Sequence, residues 1–521
     1  MNQVSTPCLN RCFFIYLLTC VTVANIWANG HDKLDTIVQI SKSTGTVYEL
    51  FKDISSQSGF FFIYDSQIID NDKKVKITKG KYSLRDAIYL ITGNKNLQID
   101  LSGEYILLRL PVKKTPVAEA EAEKNKTEKD TLITFGGRLS DRETGEAVAF
   151  ASVGIINSSI GTITNLDGGF KLVVPDTLHN LKVRLSHIGY KSREIDISLL
   201  EDEFVNIEMI PQVVPLNEVV VKAVNPISAI NEMLNNRESN YDNNPTLLTT
   251  FYREGIDHNN INTDLTEAIL QIYKTGYEKN SSNDRVKLIK KRRVINRAKT
   301  DTIFPKMRSG VNSCLILDII KELPEFITPD KSTQYKYSFI GKSVIDNRIV
   351  NIISFKQKED IMEPLYMGEL FIEEGNKALV EVRFEVNPKF ANQATNMYVD
   401  KKAFGLRINL KQANYIISYK LSDNGLYYIN HVRGDIQFRI RRKKSLSGSS
   451  LNFWFEMVTC DIQKDEIKAF PRSERLSPNL IFSETEHEYD KDFWENFNII
   501  LPEEKLKDDI IRNLNDAIIM K

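Results

Sequence analysis

From residue 335 to residue 440, apolar and polar side chains alternate along the chain with a period of two. Residues 349–355 and 378–386 are examples, and short polar turns such as Asp423-Asn424-Gly425 separate the runs. A period of two puts successive side chains on opposite faces of a sheet, so each run predicts a strand with one buried face. Short turns join antiparallel neighbours, because a parallel pair needs a long crossover. The pattern therefore predicts a large antiparallel meander.

A second β-rich stretch runs from residue 133 to residue 221. Its predicted strands are separated by turn residues at intervals of roughly ten positions, which is typical of a β-sandwich. The turn at Asp167-Gly168 predicts a hairpin, because glycine adopts a positive φ without a side-chain clash.

Several motifs in this stretch occur together in one known family. They are Gly137-Arg138-Leu139 with Thr144-Gly145-Glu146, the run Gly161-Thr162-Ile163-Thr164-Asn165-Leu166-Asp167-Gly168-Gly169-Phe170, then Ile188-Gly189-Tyr190 and the tail Leu216-Asn217-Glu218-Val219-Val220-Val221. The stretch closely resembles the carboxypeptidase-like regulatory domain of Bacteroidetes envelope proteins. The resemblance implies a seven-stranded, transthyretin-like sandwich. Asn165 stands where the family often has aspartate, which argues against a calcium site in this loop.

The family name does not imply peptidase activity for this chain. A zinc carboxypeptidase needs a His-x-x-Glu pair and a third histidine, and none of His179, His187, His258 and His431 begins such a pair. The chain also has no Gly-x-Ser-x-Gly elbow and no phosphate-binding Gly-x-x-x-x-Gly-Lys motif. We therefore predict no enzymatic activity, with no catalytic, cofactor-binding or metal-binding residues and no cofactor.

Residues 33–110 read as two short strand–helix–strand units. Val47, Leu50, Phe51 and Ile54 recur at helical spacing, and Ser83 is a predicted N-cap for a second helix at 84–91. Together with the strands at 60–64 and 75–77 and a closing hairpin, this stretch resembles the secretin and TonB short N-terminal domain. The resemblance implies a periplasmic module for protein–protein contacts, and a small scaffold without a partner is the alternative.

The N-terminal sequence predicts an export signal. Arg11 precedes the apolar run 12–24, and the small residues Ala28 and Gly30 follow as a cleavage site that ends at Gly30. An uncleaved anchor helix and a lipoprotein signal that ends at Cys20 are alternatives. In the mature chain only Cys314 and Cys460 remain, and the sequence leaves open whether they form a disulfide or are two unrelated buried thiols.

These observations define the predicted fold class, a multidomain α+β and all-β protein. We expect a signal peptide at 1–30, a small βαβ-type domain at 31–110 and a charged linker at 111–131. A transthyretin-like β-sandwich at 132–222 and a larger antiparallel β-rich domain at 223–521 follow. The strand and turn order after residue 335 is similar to lipoprotein-carrier half-barrels, whose curved sheet shelters an apolar ligand.

Two basic clusters, Lys290-Lys291-Arg292-Arg293 and Arg439-x-Arg441-Arg442-Lys443-Lys444, have a chemistry suited to anionic lipid or polysaccharide, although a solvated surface explains them as well. Lys and Arg together number 69, as do Asp and Glu, so net charge gives no indication of a nucleic-acid partner.

The resulting function prediction is a non-enzymatic exported envelope protein for binding or assembly, in the periplasm or at the outer membrane. It includes an envelope protein partner, a link to TonB-type transport or signalling, and a glycan or lipid ligand. The alternative is a periplasmic carrier that binds lipid or another apolar ligand in a C-terminal half-barrel.

Cleavage after Gly30 predicts a mature chain that begins at His31. Intact-mass analysis of the protein extracted from its native envelope measures this directly. A chain that still begins at Met1 would identify an uncleaved anchor, and a lipid-modified start at Cys20 would identify a lipoprotein. Either result contradicts the predicted cleavage.

Overall fold

A computed structural model describes residues 33–64, 69–70, 73–102, 105–109, 132–200, 204–214, 224–277, 284–295, 306–307, 310–330, 333–401, 406–442, 447–477, 482, 496–508 and 510. The chain divides into two compact units, residues 1–116 and residues 117–521. No helix in the described part is long and apolar enough to cross a membrane. The predicted signal peptide at 1–30 and the predicted linker at 111–131 lie outside the described residues.

Two capped helices organise the N-terminal unit, as the helical spacing predicts. The first helix begins after Thr46, whose hydroxyl accepts a hydrogen bond from the Glu49 amide, and ends at Gly59 with a φ of 76°. Ser83 caps the second helix. The elements are β1 (Ile37–Ile40), β2 (Thr44–Thr46), α1 (Val47–Ser58), β3 (Phe61–Tyr64), β4 (Lys74–Lys76), β5 (Gly80–Ser83), α2 (Leu84–Thr92), β6 (Gln98–Ser102) and β7 (Tyr105–Arg109).

The strands of this unit form three small sheets, β1-β5, β2-β4 and β3-β7-β6. β3 and β7 are parallel, so the chain between them makes a crossover that contains α2. The predicted apolar stripe of α1 (Val47, Leu50, Phe51 and Ile54) is buried in the core of the unit.

The larger unit begins with eight strands in two four-stranded sheets. The strands are β8 (Leu132–Asp141), β9 (Ser152–Ile155), β10 (Gly161–Ile163), β11 (Gly169–Pro175), β12 (Lys182–Ser186), β13 (Tyr190–Lys191), β14 (Arg193–Asp196) and β15 (Phe204–Pro211). Their orders are β10-β9-β12-β14 and β11-β8-β15-β13. Apolar side chains from both sheets, such as Leu139 and Leu185, are fully buried. We call this part the sandwich. It has one strand more than the resemblance implies, because the short strand β13 extends the second sheet.

The predicted hairpin at Asp167-Gly168 is wrong. Gly168 does adopt a positive φ of 79°, and the Asn165 side chain accepts hydrogen bonds from the amides of Asp167 and Gly169. However, β10 pairs with β9 and β11 pairs with β8, so this turn carries the chain from one sheet to the other. The same tight turn suits either connection, and the burial of both apolar faces decides between them.

The rest of the larger unit contains twelve strands and several short helices among the described residues, including a helical turn at 504–508. The α-helices before this turn are α3 (Pro226–Asn235), α4 (Arg237–Asn240), α5 (Gly310–Ile316), α6 (Ile319–Glu322) and α7 (Thr395–Tyr398). The strands are β16 (Thr246–His258), β17 (Ile261–Lys274), β18 (Arg285–Ile295), β19 (Lys306–Met307), β20 (Tyr335–Ile345), β21 (Arg348–Gln357), β22 (Tyr366–Glu373), β23 (Leu379–Val386), β24 (Val399–Lys401), β25 (Leu406–Leu421), β26 (Tyr427–Arg442) and β27 (Ser449–Gln463).

Ten of these strands form one antiparallel sheet in the order β18-β17-β16-β27-β26-β25-β23-β22-β21-β20. The predicted meander is thus confirmed, and β19 pairs with β24 as a separate ribbon. In the described ranges β18 and β20 do not pair with each other, so the sheet stays open. One apolar cluster joins helix residues such as Ile230 and Ile320 to residues of all ten strands, so the sheet curves around the helices as a half-barrel. We call the side with this cluster the inner face.

Ile227, Ile230, Met233 and Leu234 recur at helical spacing, which predicts one amphipathic helix over residues 227–241. The structure divides this stretch at Asn236 into α3 and α4. Ile230 and Met233 are fully buried, but Ile227 is 45% exposed. Ile227 lies in the first turn of α3, before the part of the helix that packs against the sheet.

Two glycines allow aromatic rings of β27 to pack directly on the neighbouring strands. Trp454 lies opposite Gly255 of β16, and Phe455 lies opposite Gly434 of β26. A Cβ atom at Gly255 would lie 2.4 Å from the Trp454 ring, and a Cβ atom at Gly434 would lie 2.4 Å from the Phe455 ring. Successive strand residues point to opposite faces, so each face of the sheet has one ring packed on a glycine.

Alanine at either glycine should displace the covering ring. We expect Gly255→Ala and Gly434→Ala each to lower the free energy of unfolding by about 1–3 kcal/mol, the usual cost of overpacking. Urea unfolding measures this change. Gly341→Ala is the control, because nothing lies within 4 Å of a Cβ atom there. An equal loss in all three variants would show that the ring contacts are not the cause.

Candidate functional site

The inner face carries a cluster of aromatic side chains around Phe326. The Phe326 ring stacks on Phe355, with centroids 4.6 Å apart and planes 2° apart. The centroids of Phe384, Tyr366 and Tyr335 lie 5.1, 6.0 and 6.4 Å from that of Phe326. The four surrounding residues come from the four adjacent strands β20 to β23. We call these four side chains the aromatic cage, and the Phe326 ring fills it.

Phe326 belongs to residues 310–327, which we call the helical cover. The cover consists of α5, α6 and a 3-10 turn at Glu325–Ile327. It breaks after α6 because Leu323 has a positive φ of 35° and Pro324 cannot continue a helix. Helices this short have little stability of their own, so the cover depends on its packing against the sheet. Its buried apolar side chains are Val311, Cys314, Ile319, Ile320, Phe326 and Ile327.

Asp318 anchors the middle of the helical cover. Its carboxylate is fully buried, accepts hydrogen bonds from the Tyr277 and Tyr419 hydroxyls at 2.9 Å each, and lies 2.5 Å from the Lys274 ammonium. A buried charge that loses its partner destabilises a protein by several kcal/mol. These contacts therefore determine where the cover crosses the sheet.

A second carboxylate completes this anchor. Asp284 lies 2.8 Å from Lys274 and 2.5 Å from Lys321. Burial acts to raise the pKa of Asp284, but the two lysines outweigh it and hold the pKa below its usual value. Burial likewise acts to lower the pKa of Lys274, but Asp284 and Asp318 hold that pKa above its usual value. Asp284 and Lys274 are therefore both ionised at neutral pH.

Glu254 lies on the inner face where the helical cover begins. Its carboxylate accepts hydrogen bonds from the Tyr252 hydroxyl, at 2.6 Å, and from the Gly310 amide. Burial raises the pKa of Glu254 to about 6. Burial also lowers the pKa of the neighbouring Lys291 to about 8, and the Lys291 ammonium donates to the Phe482 carbonyl at 2.6 Å. Glu254 is therefore an inner-face group that changes its charge near pH 6.

The outer face of the sheet carries a buried polar network around Glu456. The Glu456 carboxylate lies 2.8 Å from Arg253, 2.9 Å from Nε2 of His431 and 3.4 Å from Arg433. Burial acts to raise the pKa of Glu456, but Arg253, Arg433 and His431 outweigh it and hold the pKa well below its usual range. Arg253 also binds Glu503 at 2.8 Å. Glu503 lies in residues 496–508, which we call the C-terminal segment. The network therefore joins three strands to the C-terminal segment.

A pocket of about 300 Å³ opens beside this network. The sandwich contributes Leu166, and the sheet and the C-terminal segment contribute Asp257, Asn260, Asn262, Arg433, Asp435, Asn452, Trp454, Glu503, Lys505 and Leu506. The Asp257 carboxylate already accepts hydrogen bonds from Asn262 at 3.0 Å and from the Trp454 indole at 3.1 Å. The pocket is thus a polar gap between the sandwich and the sheet, unlike the apolar inner face.

The sequence indicated no catalytic, cofactor-binding or metal-binding residue. In the described part of the chain, no group of three or more His, Cys, Asp and Glu side chains is placed to hold a metal ion. Cys314 and Cys460 are free, buried thiols, the first in the inner-face cluster and the second in a cluster on the outer face.

Sequence reasoning missed both the aromatic cage and the Glu456 network. In β26, Arg433 and Asp435 alternate with apolar residues, and such alternation is typical of a strand with one solvated face. The structure instead buries Arg433, which retains 7% exposure, because the sandwich and residues 496–508 cover that part of the outer face. The sequence feature that could have indicated this burial is the unusually high number of charged residues within the long strands.

The two basic clusters of the sequence have different environments. Arg292 and Arg293 each pair with a carboxylate of β17 at 2.5 Å, and Lys291 is buried, so three of the four side chains of the first cluster are engaged within the fold. In the second cluster, Arg439 is exposed and Arg441 is partly exposed on the outer face of β26. Its residues 443–444 lie outside the described residues.

Comparison with known proteins identifies one part of the chain. Residues 135–221 match the CarboxypepD_reg-like domain family, so the sandwich contains the predicted carboxypeptidase-like regulatory domain. No curated protein matches the chain significantly. The Bacteroidetes origin, the secretin and TonB short N-terminal domain and the TonB link remain predictions.

Some solved structures are distantly similar to this chain. One, described as an outer membrane lipoprotein-sorting protein domain from Vibrio parahaemolyticus, is 7% identical, with 47% of this chain and 95% of that chain covered and a TM-score of 0.21. A LolA superfamily protein from Nitrosomonas europaea is 12% identical, with 50% and 100% covered and a TM-score of 0.18. TM-scores this low carry no argument about function.

Glu254→Gln keeps an acceptor for Tyr252 and Gly310 but cannot ionise. Because burial raises the pKa of Glu254 from 4.5 to about 6, the stability that this group contributes is fully present below pH 4.5 and is lost as the pH rises through 6. The difference between 4.5 and about 6 corresponds to about 2 kcal/mol. Relative to the wild type, the variant should therefore gain about 2 kcal/mol in free energy of unfolding between pH 4 and pH 8.

Urea unfolding at these two pH values measures the gain. Glu359→Gln, at an exposed position, is the matched control and should show no such change. The same gain in both variants would contradict the assignment to Glu254.

Proposed function

We propose that this protein is a non-enzymatic, exported envelope protein that binds an apolar ligand, such as the acyl chain of a lipid, on the inner face of its half-barrel. The observation that carries the proposal is the aromatic cage, which is filled by one ring from a short, broken helical cover. An apolar sheet face needs a second layer. Here the layer over the cage is a side chain that another apolar group could replace.

The dimensions of the cage suit an extended apolar group. Its four rings come from four adjacent strands, which span roughly 14 Å at the usual spacing between strands. Tyr335, Phe355 and Phe384 are buried, and Tyr366 is partly buried against the same cluster. A ligand that took the place of Phe326 would contact a continuous aromatic surface.

The attachment of the helical cover also supports exchange at the cage. Asp318 holds the cover in the middle, and the Gly310 amide holds its beginning to Glu254. Phe326 lies beyond both points, after the break at Leu323 and Pro324. Beyond the break, the Phe326 carbonyl accepts a hydrogen bond from the Tyr337 hydroxyl at 3.0 Å. A change of backbone conformation at the break that also breaks this hydrogen bond would release the ring while the ionic anchor stays intact.

Other parts of the proposal rest on the sequence. Export rests on residues 1–30, and the absence of enzymatic activity rests on the missing catalytic motifs. An envelope protein partner and a link to TonB-type transport or signalling rest on the resemblance of residues 31–110. The regulatory domain at 135–221 is the second candidate for assembly contacts, because such a module can present strand edges and loops to a partner.

Phe326→Ala should empty the cage and make it available to a probe. We expect a loss of about 3–5 kcal/mol in free energy of unfolding, as for other buried phenylalanines. We also expect the full chain to bind the apolar fluorophore N-phenyl-1-naphthylamine several-fold more tightly, because the ring no longer competes for the site. Fluorescence titration measures the affinity.

Phe170→Ala is the matched control, because it removes a fully buried phenylalanine from the sandwich instead. It should cost similar stability without changing the affinity for the fluorophore. The proposal fails if neither the wild type nor Phe326→Ala binds the fluorophore, or if both variants gain affinity equally. If only Phe326→Ala gains affinity, mass spectrometry of a solvent extract from gently purified native protein identifies the natural ligand.

A further inference from the structure

Four basic side chains lie together at the exposed end of β25 and β26. Arg407 of β25 is directly opposite Arg441 of β26, and Arg439 is opposite Asn409. Lys411 follows on β25, at a bulge in the pairing. We call Arg407, Lys411, Arg439 and Arg441 the basic row. The row points to the outer face, because the alternating residues of these strands belong to the inner-face cluster, namely Ile408, Leu410, Phe438 and Ile440.

The charges of the basic row are not compensated within the described structure. None of the four side chains forms an ion pair with a residue in the described ranges. Asp435, the next acidic residue along β26, already binds Arg433 at 2.7 Å. The contrast with Arg292 and Arg293 is direct, because each of those side chains has a carboxylate at 2.5 Å. Among the residues that the structure describes, the row is therefore a positive surface without a carboxylate partner.

The arrangement of the row indicates the shape of that partner. Like charges directly opposite each other destabilise an antiparallel pair, so the Arg407–Arg441 pair weakens the sheet unless an anion lies over it. From Arg407 to Lys411 the row extends roughly 13 Å along a sheet face. A small soluble anion is usually held in a concave site. An extended layer of phosphates matches an extended row of cations.

We infer that the basic row docks this protein on the anionic headgroups of a lipid bilayer. Several basic side chains that face the same way on an exposed surface are typical of proteins that bind anionic headgroups by electrostatic attraction.

This inference goes beyond the proposed function and stands without it, because the placement of the row does not depend on the aromatic cage. Where both hold, docking brings the half-barrel to a source of acyl chains. The two proposals fail separately. Phe326→Ala should leave vesicle binding unchanged, and neutralising the row should leave binding of the fluorophore unchanged.

The test is flotation of the full chain with vesicles of phosphatidylcholine, with or without phosphatidylglycerol, at low and at high salt. We expect binding only to the vesicles with phosphatidylglycerol, and weaker binding at high salt. Each basic residue near an anionic membrane strengthens partitioning by about fivefold. Arg439→Gln with Arg441→Gln should therefore weaken partitioning by about 25-fold, and the addition of Arg407→Gln and Lys411→Gln should abolish detectable binding.

A matched control removes the same number of charges elsewhere in this unit. It replaces four exposed lysines by glutamine, namely Lys336, Lys356, Lys358 and Lys468. This variant should float like the wild type, apart from a small effect of net charge. All variants share residues 1–30, so insertion of the apolar N-terminal stretch does not explain a difference between them.

Three results would overturn the inference. The first is equal binding to vesicles with and without phosphatidylglycerol. The second is an equal loss of binding in the control variant, which would show that total charge decides. The third is binding of the row to dextran sulfate but not to vesicles, which would assign the row to a soluble polyanion. Circular dichroism of each variant establishes that its β-structure is intact.

Discussion

Glu456 lies where the two layers of the larger unit meet, and its carboxylate binds Arg253 of β16 together with His431 and Arg433 of β26. Arg253 continues the network to Glu503 of the C-terminal segment. Taking such charges out of water costs several kcal/mol each, so the network is stable only when every member has its partner. The sandwich, the C-terminal segment and the sheet can therefore bury this face only when all three come together.

The C-terminal segment packs between the sandwich and the sheet and binds both. The Asn498 side chain accepts a hydrogen bond from the Val173 amide at 2.6 Å and donates one to the Val173 carbonyl at 3.0 Å, as a neighbouring strand would. Ile499 and Ile500 fill an apolar cluster between Ile163 of the sandwich and the sheet. The sandwich is thus bound by a segment more than 300 residues later in the sequence. Asn498, for example, follows Val173 by 325 positions.

The two faces of the half-barrel are covered in different ways. The outer face is locked by paired charges and backbone hydrogen bonds. The inner face near the cage is covered by a 3-10 turn and one aromatic ring beyond the Asp318 anchor. Local opening is easiest where few polar contacts must break. This difference is the physical basis for placing ligand exchange on the inner face and a fixed platform on the outer face.

Local patterns determined much of this protein. Thr46 and Ser83 mark the beginnings of α1 and α2, and the alternation at 349–355 and 378–386 marks β21 and β23, because capping and strand burial are properties of short segments. Three features depended on partners distant in sequence: the sheet that follows Gly168, the burial of Arg433, and the position of Arg407 opposite Arg441. The sequence by itself determined which face of each strand is apolar, because the order of apolar and polar side chains along a strand decides this. Only the tertiary structure decided which strand or segment lies against that face, because many partners offer similar local pairing and the packing of whole faces selects one.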